Sequence, residues 1–175
     1  MTEAGAEATL VKGAILVRRV FFLLVCLFLV VIVRPLPAED NPFLGIWKLD
    51  LAKSKYETAP APKSQTRTIA VQGNGVKYSF EGVGADGKTF AYSFVTYYDG
   101  TEAAITGTGS PAAADAITLR RVSSHRVEGT LHKGGKDVGK VTAEVSKDGK
   151  ASVVKSKGKT VDGKEYSTEL VYEKQ

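Results

Sequence analysis

From Gly45 to the C-terminus, apolar and polar residues alternate with a period of two, in short runs separated by glycine-containing turns. That period puts successive side chains on opposite faces of an extended strand, whereas a helix needs apolar residues three and four apart. The chain therefore reads as all-β. Val76, Tyr78 and Phe80 share one face, with Lys77, Ser79 and Glu81 on the other; Phe90, Tyr92 and Phe94 repeat the pattern against Thr89 and Ser93. The breaks are Gly73-Asn74-Gly75, Asp86-Gly87, Asp99-Gly100, Gly134-Gly135, Asp148-Gly149 and Asp162-Gly163, which supply the positive φ of tight hairpins. An Asp-Gly-Lys element recurs, but its irregular spacing marks hairpin tips and not a solenoid.

The alternation predicts about ten short antiparallel strands in meander order, near 45–51, 65–72, 76–83, 89–97, 102–108, 116–122, 126–132, 138–146, 151–158 and 165–173. Neighbours joined almost wholly by tight hairpins can remove their exposed edges only by curling and closing, so an up-and-down barrel is expected. Two connections are longer. One, 52–64, contains Pro60 and Pro62, which favour an extended path and leave room for a short helical turn near 52–56. The other is 109–115.

Ahead of the barrel, Val20 to Val33 forms an unbroken apolar run of 14, preceded by Arg18-Arg19 and followed by Arg34-Pro35-Leu36-Pro37-Ala38. A basic segment, an apolar stretch and a small residue at the end are the layout of a secretory signal, so residues 1–38 are expected to be a signal peptide and 39–175 the mature domain. The alternative is an uncleaved inner-membrane anchor, if Ala14 to Val17 lengthen the run towards the roughly 20 residues a span needs. Val17 before the arginines departs from a twin-arginine signal, and Val25 before Cys26 from a lipoprotein signal. General secretion, to the periplasm or beyond, is the expectation. Residues 39–175 hold no cysteine, which excludes thiol nucleophiles and thiolate metal sites. They carry 16 Lys and 4 Arg against 17 acidic residues, a net charge of about +3.

Gly45-Ile46-Trp47 at the first strand resembles the Gly-x-Trp mark of the calycin superfamily, the lipocalins and fatty-acid-binding proteins. Ser167 to Lys174 is similar to their final strand, and exported bacterial lipocalin-like domains are the nearest comparison. The resemblance implies that Gly45 permits a tight entry into the strand and that Trp47 plugs the closed end of a barrel. It also implies an interior that takes small hydrophobic or lipid-like ligands. Two departures qualify it. Leu170 stands where the fatty-acid-binding proteins often carry the Arg of an Arg-x-Tyr carboxylate clamp, although Tyr172 matches the Tyr. The Pro-containing 52–64 segment is too short for their helical lid.

Closure would turn one face of each strand inward: Trp47 and Leu49, Ile69 and Val71, Val76, Tyr78 and Phe80, then Phe90, Tyr92 and Phe94. Further on it would include Ile105, Ile117, Leu119, Val127, Leu131, Val141, Ala143, Val145, Val153, Leu170 and Tyr172. These could line a ligand cavity with Tyr hydroxyls as orienting groups, or fill a solid core. Cavity candidates are Trp47, Tyr78, Phe80, Phe90, Tyr92, Phe94, Leu119, Leu170 and Tyr172, with Arg121 as a possible partner for an anionic headgroup or else a solvated rim residue. His125 and His132 are expected to be exposed, without metal-ligand spacing. No nucleophile elbow, phosphate-cradling loop or zinc-protease helix occurs, so neither a catalytic site nor a cofactor is expected. Between Lys133 and Lys164 lie nine Lys and four acidic residues, a basic stretch that could touch an anionic surface weakly. Aromatics are not interleaved with it as nucleic-acid binding would need. The expectation is an exported monomer that binds an apolar or amphipathic small molecule inside. The alternative is a filled barrel acting through its surface as an envelope interaction or structural protein.

Overall fold

The structure, a computed structural model, describes residues 41–175 apart from 59 and 160–162, so the expected signal segment lies outside the described residues. Eleven strands follow in order: β1 (Gly45–Tyr56), β2 (Ser64–Gln72), β3 (Gly75–Val83), β4 (Thr89–Thr96), β5 (Asp99–Ala104), β6 (Thr106–Thr108), β7 (Ala116–Ser123), β8 (Arg126–Lys133), β9 (Lys136–Val145), β10 (Ala151–Lys159) and β11 (Glu165–Lys174). All pairings are antiparallel, and the hydrogen-bonded order is β5-β7-β8-β9-β10-β11-β1-β2-β3-β4-β6. The last strand thus returns to the first, as a meander must if it is to cover its edges.

One expected strand is broken in two. Over 99–108 the chain pairs first with β7 and then, beyond Ile105, with β4, so this single path bridges the two edges of the sheet. The barrel is nearly closed, with the seam between β4 and β5 crossed by the chain and not by a ladder.

β1 is longer than the alternation indicates. No helical turn forms at 52–56; the strand bulges between Asp50 and Lys55 and then resumes pairing with β11. The Asp50 carboxylate accepts the amides of Ala52 and Lys53, at 3.0 and 3.2 Å. The Ser54 hydroxyl accepts the Val171 amide at 2.9 Å and donates to the Asp50 carbonyl at 2.6 Å, taking over the ladder where the backbone departs from it. The second long connection holds a 3-10 turn at Pro111–Ala113.

Most of the expected inward set is buried or packed on the core, including Leu49, Ile69, Leu119, Val127, Leu131 and Val145. Two residues are not where alternation put them. Val71 keeps the parity of Gln65, Arg67 and Ile69 and pairs with Val76, but β1 begins at Gly45 opposite Ile69, so Val71 extends past the edge of its other neighbour and is 68% exposed. Val153 faces away from the interior: Ser152 and Ser156 are the buried residues of β10, and Val154 lies between them on the same face. Adjacent valines allow either phase, and the register with Tyr172 and Leu170 selects Val154.

Candidate binding cavity

One end of the barrel is plugged. Trp47 is fully buried and its indole N–H donates to the Phe43 carbonyl at 2.8 Å, so its one polar atom is satisfied. Phe43 is also fully buried. Tyr98, held in a left-handed conformation at φ 59°, donates or accepts a 2.6 Å bond with the Tyr78 hydroxyl.

Above this plug the walls do not meet, and a cavity of about 340 Å³ remains. Its lining extends to Pro60 and Pro62 of the first long connection and to Gly109, Pro111 and Ala112 of the second, so both long connections sit at the end away from Trp47. Tyr78, Phe80, Phe90, Tyr92, Phe94, Leu119, Leu170 and Tyr172 all line it, as the sequence suggests. On β3 and β4 the aromatics form cross-strand stacks: Tyr78 on Phe94 at 5.0 Å and Phe80 on Tyr92 at 4.5 Å between ring centroids. Such offset aromatic pairs hold a wall rigid while leaving its inner surface apolar.

Two candidates fall outside the lining. Trp47 lies beneath the cavity floor. Arg121 has its guanidinium carbon 4.5 Å from the Tyr98 ring and 5.8 Å from the Phe43 ring, against the plug. Its inward parity near a strand end is real, but those rings occupy the space between it and the cavity.

The charged residue that does line the cavity is Arg67, which the charge-faces-solvent rule passes over. Extending the parity of Ile69 back along β2 would have found both Arg67 and Gln65, each buried. Arg67 is 2% exposed. Its Nη2 donates to Ser152 Oγ at 3.0 Å, and its guanidinium carbon sits 4.4 Å from the Tyr172 ring and 5.4 Å from the Trp47 ring. The Nε–H has no partner; among the described residues it shares that condition only with the Tyr56 hydroxyl. Among the described residues, no Asp or Glu lines the cavity.

Burial pulls the Arg67 guanidinium below its usual pKa, yet a guanidinium remains charged at any physiological pH. Taking a charge out of water costs several kcal/mol, and two ring faces with one charge-assisted hydrogen bond return about 3–7 kcal/mol together, an amount comparable with that cost. Around the arginine, Tyr172 donates to Gln65 Oε1 at 3.1 Å, and burial pushes the Tyr172 phenol up to about 12. Burial raises Tyr78 and Tyr92 as well, so these phenols stay neutral hydrogen-bonding groups.

Outside the barrel, His125 is exposed in its turn and pairs with Ser124 Oγ at 3.0 Å. His132 is not exposed: its side chain keeps only 14% accessibility beside Asp137, at 3.0 Å, because β7 and β9 flank it with Thr118 on one side and that carboxylate on the other. Among the described residues no group of three His, Cys, Asp or Glu side chains is placed to hold a metal ion. No protein-family model matches the chain, and a comparison with curated proteins finds no match. Fold and cavity define a class, a small antiparallel, nearly closed β-barrel with a lined interior, consistent with a calycin-like fold, and function has to be argued from the site.

Proposed function

We propose that this protein is an exported binder of an apolar or amphipathic small molecule, held inside the barrel and released unchanged. The observation that carries the reading is the cavity of about 340 Å³, within the usual range for small-molecule sites, with mostly apolar walls and a few polar groups gathered at Arg67, Gln65 and the tyrosines. Among the described residues the lining has no His, Asp, Glu, Lys or Cys to serve as base or nucleophile, which favours binding over catalysis. The export part of the proposal rests on residues 18–38.

Titration of the purified chain with 1-aminoanthracene, an uncharged probe that brightens in apolar surroundings, tests the reading. Ala143 is a small, buried residue in the lining, so Ala143→Phe should grow into the space, and Val141→Phe offers a second blockade. Saturable one-to-one uptake by the wild type, reduced at least about ten-fold in a blocked variant that still melts cooperatively, is expected. A folded wild type that takes up no probe would sink the proposal and move the search to the outer surface.

A further inference from the structure

We propose that the closed end of the barrel docks on a lipid bilayer in which the apolar run from Val20 to Val33 is retained, with Ile46, Val71, Tyr97 and Val122 entering the interface. Five large apolar side chains are exposed among the described residues. Four of them, each at least half exposed, stand at this end, and the fifth, Leu51, sits in the β1 bulge. Single exposed apolar residues are ordinary on a protein surface, whereas their collection at one end calls for a partner.

Strand pairing places them together. Ile46 adjoins Trp47 at the start of β1, and Val71 ends β2 just past Ile69, which stands opposite Gly45. Tyr97 follows Thr96, the partner of Val76, and its ring reaches the β2–β3 hairpin, where a Cβ added to Gly75 would lie 3.0 Å from its Cε1. Val122 follows Arg121, whose amide donates to the Tyr98 carbonyl at 3.1 Å. An exposed tyrosine, apolar in its ring and polar at its tip, suits the headgroup boundary of a bilayer.

Two observations select lipid over a second copy of this chain. The chain enters the barrel at this end, through Asn41 and the buried Phe43, and only residues 34–40 separate Asn41 from Val33. Fully extended, that stretch reaches at most about 29 Å, so a chain that keeps the run in lipid brings this end of the barrel to the surface. Charge agrees. Exposed Arg120, Lys147, Lys150 and Lys174 stand at the same end against Asp99 and Asp148, while Arg126 covers Glu128 and Glu144, and Lys53 covers Asp50 and Glu173. That surplus of cations disfavours a second copy and favours anionic headgroups. Lys12, Arg18 and Arg19 precede the run and Arg34 alone follows it before Asn41, a bias that leaves the barrel on the exported side. The mouth of the cavity, between Pro60 and Pro111, then faces water.

The full chain, reconstituted in phosphatidylethanolamine and phosphatidylglycerol vesicles with brominated acyl chains, tests this by tryptophan quenching, since Trp47 is the sole tryptophan. Tyr97→Trp and Val122→Trp should each lose at least about half of the emission they add to the wild type, because docked apolar side chains sink roughly 5–10 Å, to the acyl boundary. Lys88→Trp, in the hairpin between β3 and β4 at the open end, should lose none. Adding Ile46→Thr and Val71→Thr, which keep the β-branched shape, should relieve the quenching in Tyr97→Trp while vesicle flotation and cooperative melting persist. Quenching in Lys88→Trp equal to that in Tyr97→Trp would overturn the proposal. Full emission in all three variants on floating vesicles would leave the run as a bare tether and overturn the docking. Shielding of the tryptophan in Tyr97→Trp from both the bromines and aqueous acrylamide would assign this face to a second copy. Recovery of the exported chain in soluble form, beginning at Glu39, would remove the retained run and the proposal with it.

Discussion

Gly45 has φ 129°, a conformation that side chains rarely adopt, and a Cβ there would lie 2.7 Å from Cε of Lys174. The residue opens β1, and Lys174 can then lie across the indole of Trp47, its Nζ 5.1 Å from the ring centroid. Gly45→Ala must either strain the backbone or displace Lys174 from the plug. Its expected cost is about 1–3 kcal/mol, read as a lower urea midpoint with unchanged slope. A variant as stable as the wild type would mean that the entry to β1 tolerates another path.

Among the strands, β1, β10 and the divided path of β5 and β6 are where local pattern and final structure part. The bulge in β1 depends on one hydroxyl, since Ser54 receives the Val171 amide and returns a bond to Asp50. Ser54→Val keeps the β-propensity but leaves both backbone groups unpaired. A loss of about 1–3 kcal/mol is expected, together with faster hydrogen exchange at the Val171 amide than at its β11 neighbours. Unchanged protection at Val171 would assign the bulge to Asp50 alone. The basic stretch from Lys133 to Lys164 also changes character once the strands are paired. Lys133, Lys140, Lys155 and Lys159 form ion pairs with Asp115, Asp137, Glu169 and Glu165, three of them acids from outside the stretch. Counting charge along the chain therefore overstates how positive this face is.

At the scale of the whole barrel, the buried tyrosines couple folding to alkaline pH. Tyr172 rises from the ordinary 10.0 to about 12 through burial, and Tyr78 and Tyr92 rise in the same direction. The folded state then binds more protons than the unfolded one above pH 10. The stabilisation is fully present below about pH 10 and is lost as pH rises through about 12, with Tyr172 alone accounting for about 2–3 kcal/mol. Urea midpoints measured from pH 8 to 12 should stay level and then fall. Phenolate absorbance from the buried tyrosines should appear with unfolding, and Tyr172→Phe should flatten the decline. Full phenolate formation near pH 10 with the fold intact would contradict this burial.

Strand-forming residues alternate and glycines mark the turns, so the sequence by itself determined an all-β meander and the places of most of its turns. These are local properties, set within a few residues by backbone sterics and side-chain phase. Two things were decided only by tertiary structure: the choice of Val154 over Val153 and the space left above the plug. Each depends on which residues of other strands stand opposite, as Tyr172 does for Ser152. Register across a closed sheet is a relation between distant segments, and no window along one strand contains it.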